Sequence, residues 1–484
     1  MATISSPGVG SGLDVNSIVT QLVAIERQPI VQLQSQASSL QTKLSAFGKL
    51  QSNLSALRDA ASALTRPSTW SQTTGTSSDT AAVSVTTDAN NLPGSYSVEV
   101  LSLARAQSNT SKTYAAATDL VGEGTIRIEL GTWTNNGATF TPKTGATAID
   151  VAVGPPAKSL AEVRDMINSA NAGITATVLT DATGARLVFR STATGAENGF
   201  KVSVTDTDGN NVDTSGLSAL AYDPSVGVVT MGQALAAANA SALINSVPVS
   251  STSNTLSNIV DGMTLTLKKE TTAAVEVSTA PDKEAIKKKV EAFVAAYNDL
   301  NKELVAHTKY DAASKTGGTL QGDSAAVSLR AALRATLRAT LRGNSGASTM
   351  FTRLADIGFD VKQDGSITLD NSKLENAVAN LGELKKLFAN SDTLVPANNG
   401  FATLFRQQAD QAIGVEGSIA SRSEGLRERI NRNEKRQAEL EVRVSQTEAR
   451  LRKQYTALDA QMGQLQSLST YVTQQMSMLS NNTK

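Results

Sequence analysis

The sequence predicts an α+β multidomain protein: a long terminal α-helical, coiled-coil stalk with β-rich head domains inserted between its two halves. Two observations carry this. Seven-residue recurrence marks both ends of the chain, at Leu33, Leu40, Phe47, Leu54 and Ala61, and again at Ile430, Gln437, Val444, Leu451, Leu458, Leu465, Val472 and Leu479. Such recurrence keeps one face of a slightly underwound helix against a partner. Between the ends, from about Ser68 to Ala280, Thr, Ser, Gly, Val and Ala dominate, and short alternating runs replace the helical period.

Residues 1–14 are rich in Ser and Gly and are expected to be disordered or extended in the free chain. Asp14 is the expected N-cap of a first helix with Val15, Ile18, Leu22 and Ile25 on one face. Pro29 interrupts or kinks that helix. The heptad then runs to Leu64, with a second seam three residues on at Leu50, Leu57 and Leu64. Gln36 and Lys43 are the polar members of that seam, and Arg66 and Pro67 end the helix.

In the middle, alternation at Tyr96–Val98–Val100, Ile126–Ile128–Leu130, Leu187–Phe189 and Leu265–Leu267 predicts strands. Asn136-Gly137, Asn198-Gly199, Asp208-Gly209 and Asp261-Gly262 are the expected hairpin turns. Leu160, Val163, Met166 and Ile167 share one face of a helix, and an alanine-rich helix is expected from about Met231. After Pro281, Val290, Phe293, Val294, Tyr297, Leu300 and Leu304 form an amphipathic stripe. A helix over 324–341 follows, then a hairpin over 359–369 turning at Asp364-Gly365, and a helix over 374–388. From Leu426 the chain has no proline and one glycine, Gly463, so an unbroken helix would span on the order of 90 Å.

This order places the β region inside one helical body whose distant ends pair as an antiparallel stalk. The expected division takes 1–41 as an N-terminal leg and 42–79 as the first part of the stalk domain. Residues 80–112 and 234–282 then form one β-rich head domain, into which 113–233 is inserted as an outer β-rich domain. Residues 283–415 complete the stalk, and 416–484 form a C-terminal coiled-coil leg.

Composition narrows the function. The 44 Lys and Arg balance the 44 Asp and Glu, so no global field attracts nucleic acid or an anionic membrane. Aromatic residues are 4% of the chain, too few for single-strand stacking platforms. The absence of cysteine excludes disulfides, thiolate nucleophiles and cysteine–zinc sites. Neither an apolar run long enough for a membrane span nor a signal peptide is visible, which implies a cytosolic protein or export that reads no cleaved signal.

Local signals read more plainly as structure than as chemistry. His307, the single histidine, has Asp299 and Asp311 nearby, but its place at a helix end suits a dipole or solvent role. Residues 206–213 (DTDGNNVD) carry three acids and a glycine without the twelve-residue spacing of a calcium loop, so a turn is preferred. Arg330, Arg334, Arg338 and Arg342 flank Leu329, Leu333, Leu337 and Leu341, reading as a solvated ridge beside a buried one, ahead of a subunit contact. Arg422 to Lys453 mixes ten basic with six acidic residues, while Asn433, Gln437, Thr447, Gln454, Gln461 and Gln475 sit in the seam. Polar layers weaken packing and fix register, the pattern expected of a helix that docks reversibly.

The opening SSPGVGSGLDVNSIVTQLVAIERQP resembles the N-terminal signature of the bacterial flagellar filament cap family, the hook-associated protein 2 family. FVAAYNDLN (293–301), LQGDSAAVSLRAAL (320–333) and LADIGFDVKQDGSITLDNSKLENAV (354–378) resemble successive helix and hairpin segments of the same family. Residues 159–195 are similar to a module shared by flagellar axial proteins; Gly131–Asp150 and Asp206–Val228 match nothing.

The resemblance implies a homo-oligomeric ring at the filament tip, a pentamer or near it, with β-domains as a plate and helical legs gripping the growing end. The implied partners are further copies of the chain, flagellin, the hook–filament junction protein and a type III export chaperone on the C-terminal helix. No catalytic, cofactor or metal residue is expected, and no nucleic acid or membrane insertion. The expected assembly residues are Leu33, Leu40, Phe47, Leu54, Ile430, Val444, Leu451, Leu458, Leu465, Val472 and Leu479, with Gln454 and Gln461 as the polar seam. Two alternatives stay open: an adhesin whose β-rich head binds a host glycan or receptor, and a hook–filament junction or filament subunit.

Overall fold

The computed structural model describes residues 14–313, 315–341 and 346–481. Arg342 and most of the Ser/Gly-rich start lie outside them. The chain divides into two compact units: one holds the described residues up to Thr69 and those from Lys283 onward, and the other holds Trp70–Asp282. One unit is thus inserted in the sequence of the other.

Helix α1 (Val15–Glu26) opens at Asp14, whose Oδ1 accepts from the Ser17 amide at 3.0 Å, one of the orphan donors of a first turn. The helix is interrupted at Arg27, and α2 (Gln28–Thr65) begins with Pro29 in its first turn, where a missing N–H costs nothing. The short α3 (Pro67–Trp70) follows.

The inserted unit holds β1 (Thr73–Ser77), β2 (Val83–Thr87), β3 (Gly94–Ser102), β4 (Ser108–Thr110), β5 (Leu120–Thr134), β6 (Thr139–Pro142) and β7 (Ile149–Ser159). There follow α4 (Leu160–Ala170), β8 (Ile174–Asp181), β9 (Gly184–Ser191), β10 (Gly199–Asp206), β11 (Gly232–Leu235), β12 (Ala240–Ile244) and β13 (Val247–Ser251). β14 (Thr255–Val260), β15 (Met263–Leu267) and β16 (Val275–Pro281) complete it. Two cores form. A five-stranded sheet ordered β1-β16-β3-β12-β13 and a three-stranded sheet β14-β15-β2 enclose Val98, Val100, Leu265 and Val277. Sheets β11-β4-β9-β8 and β10-β5-β6, with β7 also on β5, enclose Ile126, Ile128, Leu187 and Phe189 together with the buried face of α4.

Returning helices complete the first unit: α5 (Lys283–Thr308), α6 (Ser324–Leu337), α7 (Asn371–Val378), α8 (Leu381–Ala389), α9 (Phe401–Ile413) and α10 (Ser418–Asn481). A hairpin of Phe359–Val361 and Ile367–Leu369 turns at Asp364-Gly365, where Gly365 takes φ 92°. Phe47, Leu50, Leu54, Leu57, Ala61 and Leu64 of α2 are fully buried. A ring cluster fills the same unit, with Phe293 5.3 Å from Phe405 and Tyr297 edge-on to Phe405 at 5.9 Å. Burial pushes the Tyr297 phenol up to about 12. Glu383 accepts from Lys386, the Thr349 amide and the Ser348 hydroxyl, and these hold its carboxyl down at about 2, fixing the 348–350 segment to α8.

Several expectations are corrected. On α1 the buried positions are Val15, Val19 and Val23, and Ile25 is exposed. Gln36 and Lys43 are exposed, because the second seam lies four residues after the first there, at half-buried Ala37 and Leu44. The alanine-rich stretch from Met231 forms β11 and β12, pairing in sheets overriding helix propensity. The 374–388 helix is two helices, parted at Ala379 and Asn380. Asn198-Gly199 is no hairpin turn: Asn198 is buried and Gly199 begins β10 at φ −60°. The 206–213 stretch is a loop rather than a two-residue turn. Its Asp206 carboxylate accepts from the amide of Ser218, and Asp208 accepts from that of Asn210.

Candidate assembly site on the terminal helices

The two ends of the chain meet side by side and run antiparallel. Asn16 Oδ1 of α1 accepts from Arg452 Nη1 at 3.1 Å, and Arg27 Nη2 lies 3.3 Å from Glu441 Oε2. Asn16 and Arg27 are eleven residues apart, as are Glu441 and Arg452, so the register holds along the whole of α1. Both pairs are half exposed and set direction more than stability. Along the same contact Val15, Val19, Val23, Ile30 and Val444 form a small core, with Leu440, Leu451 and Tyr455 packed against it.

Toward its start, α10 is tied to the rest of its unit. Arg422 Nε lies 2.8 Å from Asp323 Oδ2, while Asp323 Oδ1 caps α6 by accepting from the Ala325 amide. Ile419, Ser423, Leu426 and Asn433 are buried, and Gln437 donates to the Asn433 side chain. That polar layer lies inside the fold, as its seam position implies.

Beyond Tyr455 the helix continues with its apolar residues uncovered. Leu458 is 43% exposed, Leu465 60% and Val472 48%, at the seven-residue interval read from the sequence. Gln454 and Gln461 are exposed as well, so neither forms a polar layer within a single chain. Of the N-terminal set, Phe47 and Leu54 are buried, whereas Leu33 and Leu40 are half-buried; Ile430 is half-buried too. The Leu479 side chain lies outside the described residues. Leu468, on the seam between Gln461 and Gln475, is exposed too, and Met462, Tyr471 and Met476 widen the row; heptad counting missed these three because they stand one position off the seam. From Thr456 to Asn481 the helix has a single charged residue, Asp459, in contrast to the ion-rich stretch before it.

This arrangement can bind a helix. His307 Nε2 lies 3.2 Å from Glu303 in the last turns of α5. Among the described residues no group of three or more His, Cys, Asp or Glu side chains is placed to hold a metal. No described helix is long and apolar enough to cross a membrane. Of the arginine ridge, Arg330 and Arg334 are half-buried and Arg338 is exposed, beside buried Leu329, Leu333 and Leu337.

Comparison with known proteins matches three family models. Residues 11–107 fit the flagellar hook-associated protein 2 N-terminus, 237–467 its C-terminus, and 134–193 the flagellin hook IN motif. The flagellar hook-associated protein 2 of Escherichia coli K12 is 31% identical over the full length of both chains. The A-type flagellar hook-associated protein 2 of Pseudomonas aeruginosa is 30% identical over 98% of this chain and 97% of its own. Among solved structures, the D1-D2-D3 domains of the flagellar cap protein FliD from Escherichia coli superpose with a TM-score of 0.59 at 27% identity. That match covers 79% of this chain and 99% of that one.

Proposed function

We propose, from the premise that the chain belongs to the flagellar hook-associated protein 2 family and caps the bacterial flagellar filament, that its copies close into a ring whose terminal helices dock on the growing end. The exposed row Leu458, Leu465 and Val472 carries this reading. Burying it against a helix of polymerised flagellin holds the cap in place, and withdrawing it lets the cap advance as each new subunit folds beneath. Ring size is set by contacts between copies, with a pentamer or a near neighbour as the working number. The part played in assembly is structural and involves no catalysis.

Before assembly, the same row needs cover, and a type III export chaperone on α10 supplies it. Export then proceeds through the flagellum's own apparatus. The test is a strain lacking this gene. Flagellin shed as monomer, with filaments restored by adding the purified protein from outside, supports the cap reading. Normal filaments in that strain overturn it.

A further inference from the structure

We propose that β8 of one copy adds, antiparallel, to β11 of a second copy, so that the sheet β11-β4-β9-β8 continues from molecule to molecule. The inference rests on the ring reading above and names the strands that join the copies.

Both strands are edges of one sheet, at its opposite ends. An edge presents unpaired N–H and C=O groups and is a template for another strand. In the β8–β9 hairpin, the tight turn after Asp181 makes Asp181↔Gly184 a hydrogen-bonded pair, so Ala176, Val178 and Thr180 turn their backbone groups outward. The protein already satisfies the first of these. Asn168 of α4 donates its side-chain amide to Ala176 O at 2.9 Å, and its Oδ1 accepts from Ala176 N at 2.7 Å. One side chain thus imitates a peptide unit, blocks the early half of β8 and leaves the half from Val178 onward open. Leu179, in that open half, is 54% exposed.

The β11 edge has the complementary form. All four of its residues are exposed, and it borders a cleft of about 830 Å³ whose lining includes Trp133, Tyr222, Val229 and Gln233. The indole is fixed beforehand: Trp133 Nε1 donates to Phe200 O at 3.0 Å, and the Phe140 ring packs against it, tilted, at 4.6 Å. Val229, 58% exposed, adds an apolar wall against which a side chain such as Leu179 can pack.

Strand polarity favours a second copy as the occupant. β8, β9, β4 and β11 are antiparallel at each step, so β8 and β11 run in opposite directions. A second copy rotated about an axis along the strands brings its β11 beside β8 in antiparallel sense, and the pattern repeats. The two surfaces differ, so the contact is head-to-tail, the kind that generates closed rings. The Asn168 block confines the junction to the half of β8 from Val178 onward, and the rotation between copies decides closure.

The chain has no cysteine, so paired cysteines report the contact directly. Full-length Leu179→Cys and Gln233→Cys variants are oxidised separately and mixed, with assembly size followed by light scattering. Covalent dimers in the mixture and not in either variant alone are expected. Thr180→Pro, which removes an outward donor of β8, is expected to raise the dissociation concentration about fivefold. Assemblies of unchanged size with no cross-link in the mixture, or cross-links in a single variant alone, overturn the β8–β11 contact and leave the ring intact. A parent protein that stays monomeric at every concentration overturns the ring reading and this contact with it.

Discussion

Replacing Leu458, Leu465 and Val472 together by glutamine removes the exposed seam of α10 without asking the helix to change, since glutamine favours a helix about as well as leucine. Burying a whole leucine or valine side chain contributes about 2 kcal/mol, and only the exposed fraction is still available for docking. With 43%, 60% and 48% exposed, the three residues hold in reserve about 3 kcal/mol between them. That is roughly a hundredfold in affinity. The assay is the concentration of purified protein that restores filaments to a strain lacking the gene. The triple variant should need about a hundredfold more while unfolding close to the parent temperature, because none of the three belongs to a core of the described fold. Restoration at the parent concentration would refute docking through this row.

Other outcomes follow from the same geometry. Gln454→Leu with Gln461→Leu should tighten self-association and reduce motility; unchanged oligomer size with normal filaments sinks reversible docking. Val444→Ala, in the small core that joins α1 to α10, should cost roughly 2 kcal/mol, seen first as faster proteolysis of the terminal helices. Glu383→Gln should lower stability at neutral pH. The folded carboxyl stays ionised down to about 2 against an ordinary value of 4.5, so the parent's advantage is full above pH 4.5 and is lost as pH falls through about 2. Equal stability of the two proteins at pH 7 would show that the carboxylate anchors nothing.

The long helices were legible because periodicity over many turns averages out local exceptions, and Asp14 as a cap was legible from its position before an apolar repeat. Short range failed where two periods compete. Leu33 to Phe47 fits a second seam at either three or four residues, and only packing decides, placing Ala37 and Leu44 inward and Lys43 outward. Alanine at 234, 236, 237, 238, 240 and 242 favours a helix locally, yet β4, β3 and β13 supply the hydrogen bonds that make strands of 232–235 and 240–244. At the assembly site the sequence indicated the seam but not its division. Nothing in the spacing of Leu451 and Leu458 says that the chain covers one more fully than the other. That follows from where α1 begins, opposite Arg452.

The near absence of charge from Thr456 to Asn481 bears on where such a protein can work. A flagellar tip stands outside the cell, in water whose salinity the cell does not control. Screening lengths shrink from about 30 Å in dilute water to about 3 Å in brine, and contacts built on ion pairs weaken along that range. A docking end of apolar and uncharged polar residues with one carboxylate has little such dependence, and its apolar contacts hold as firmly in the sea as in a pond.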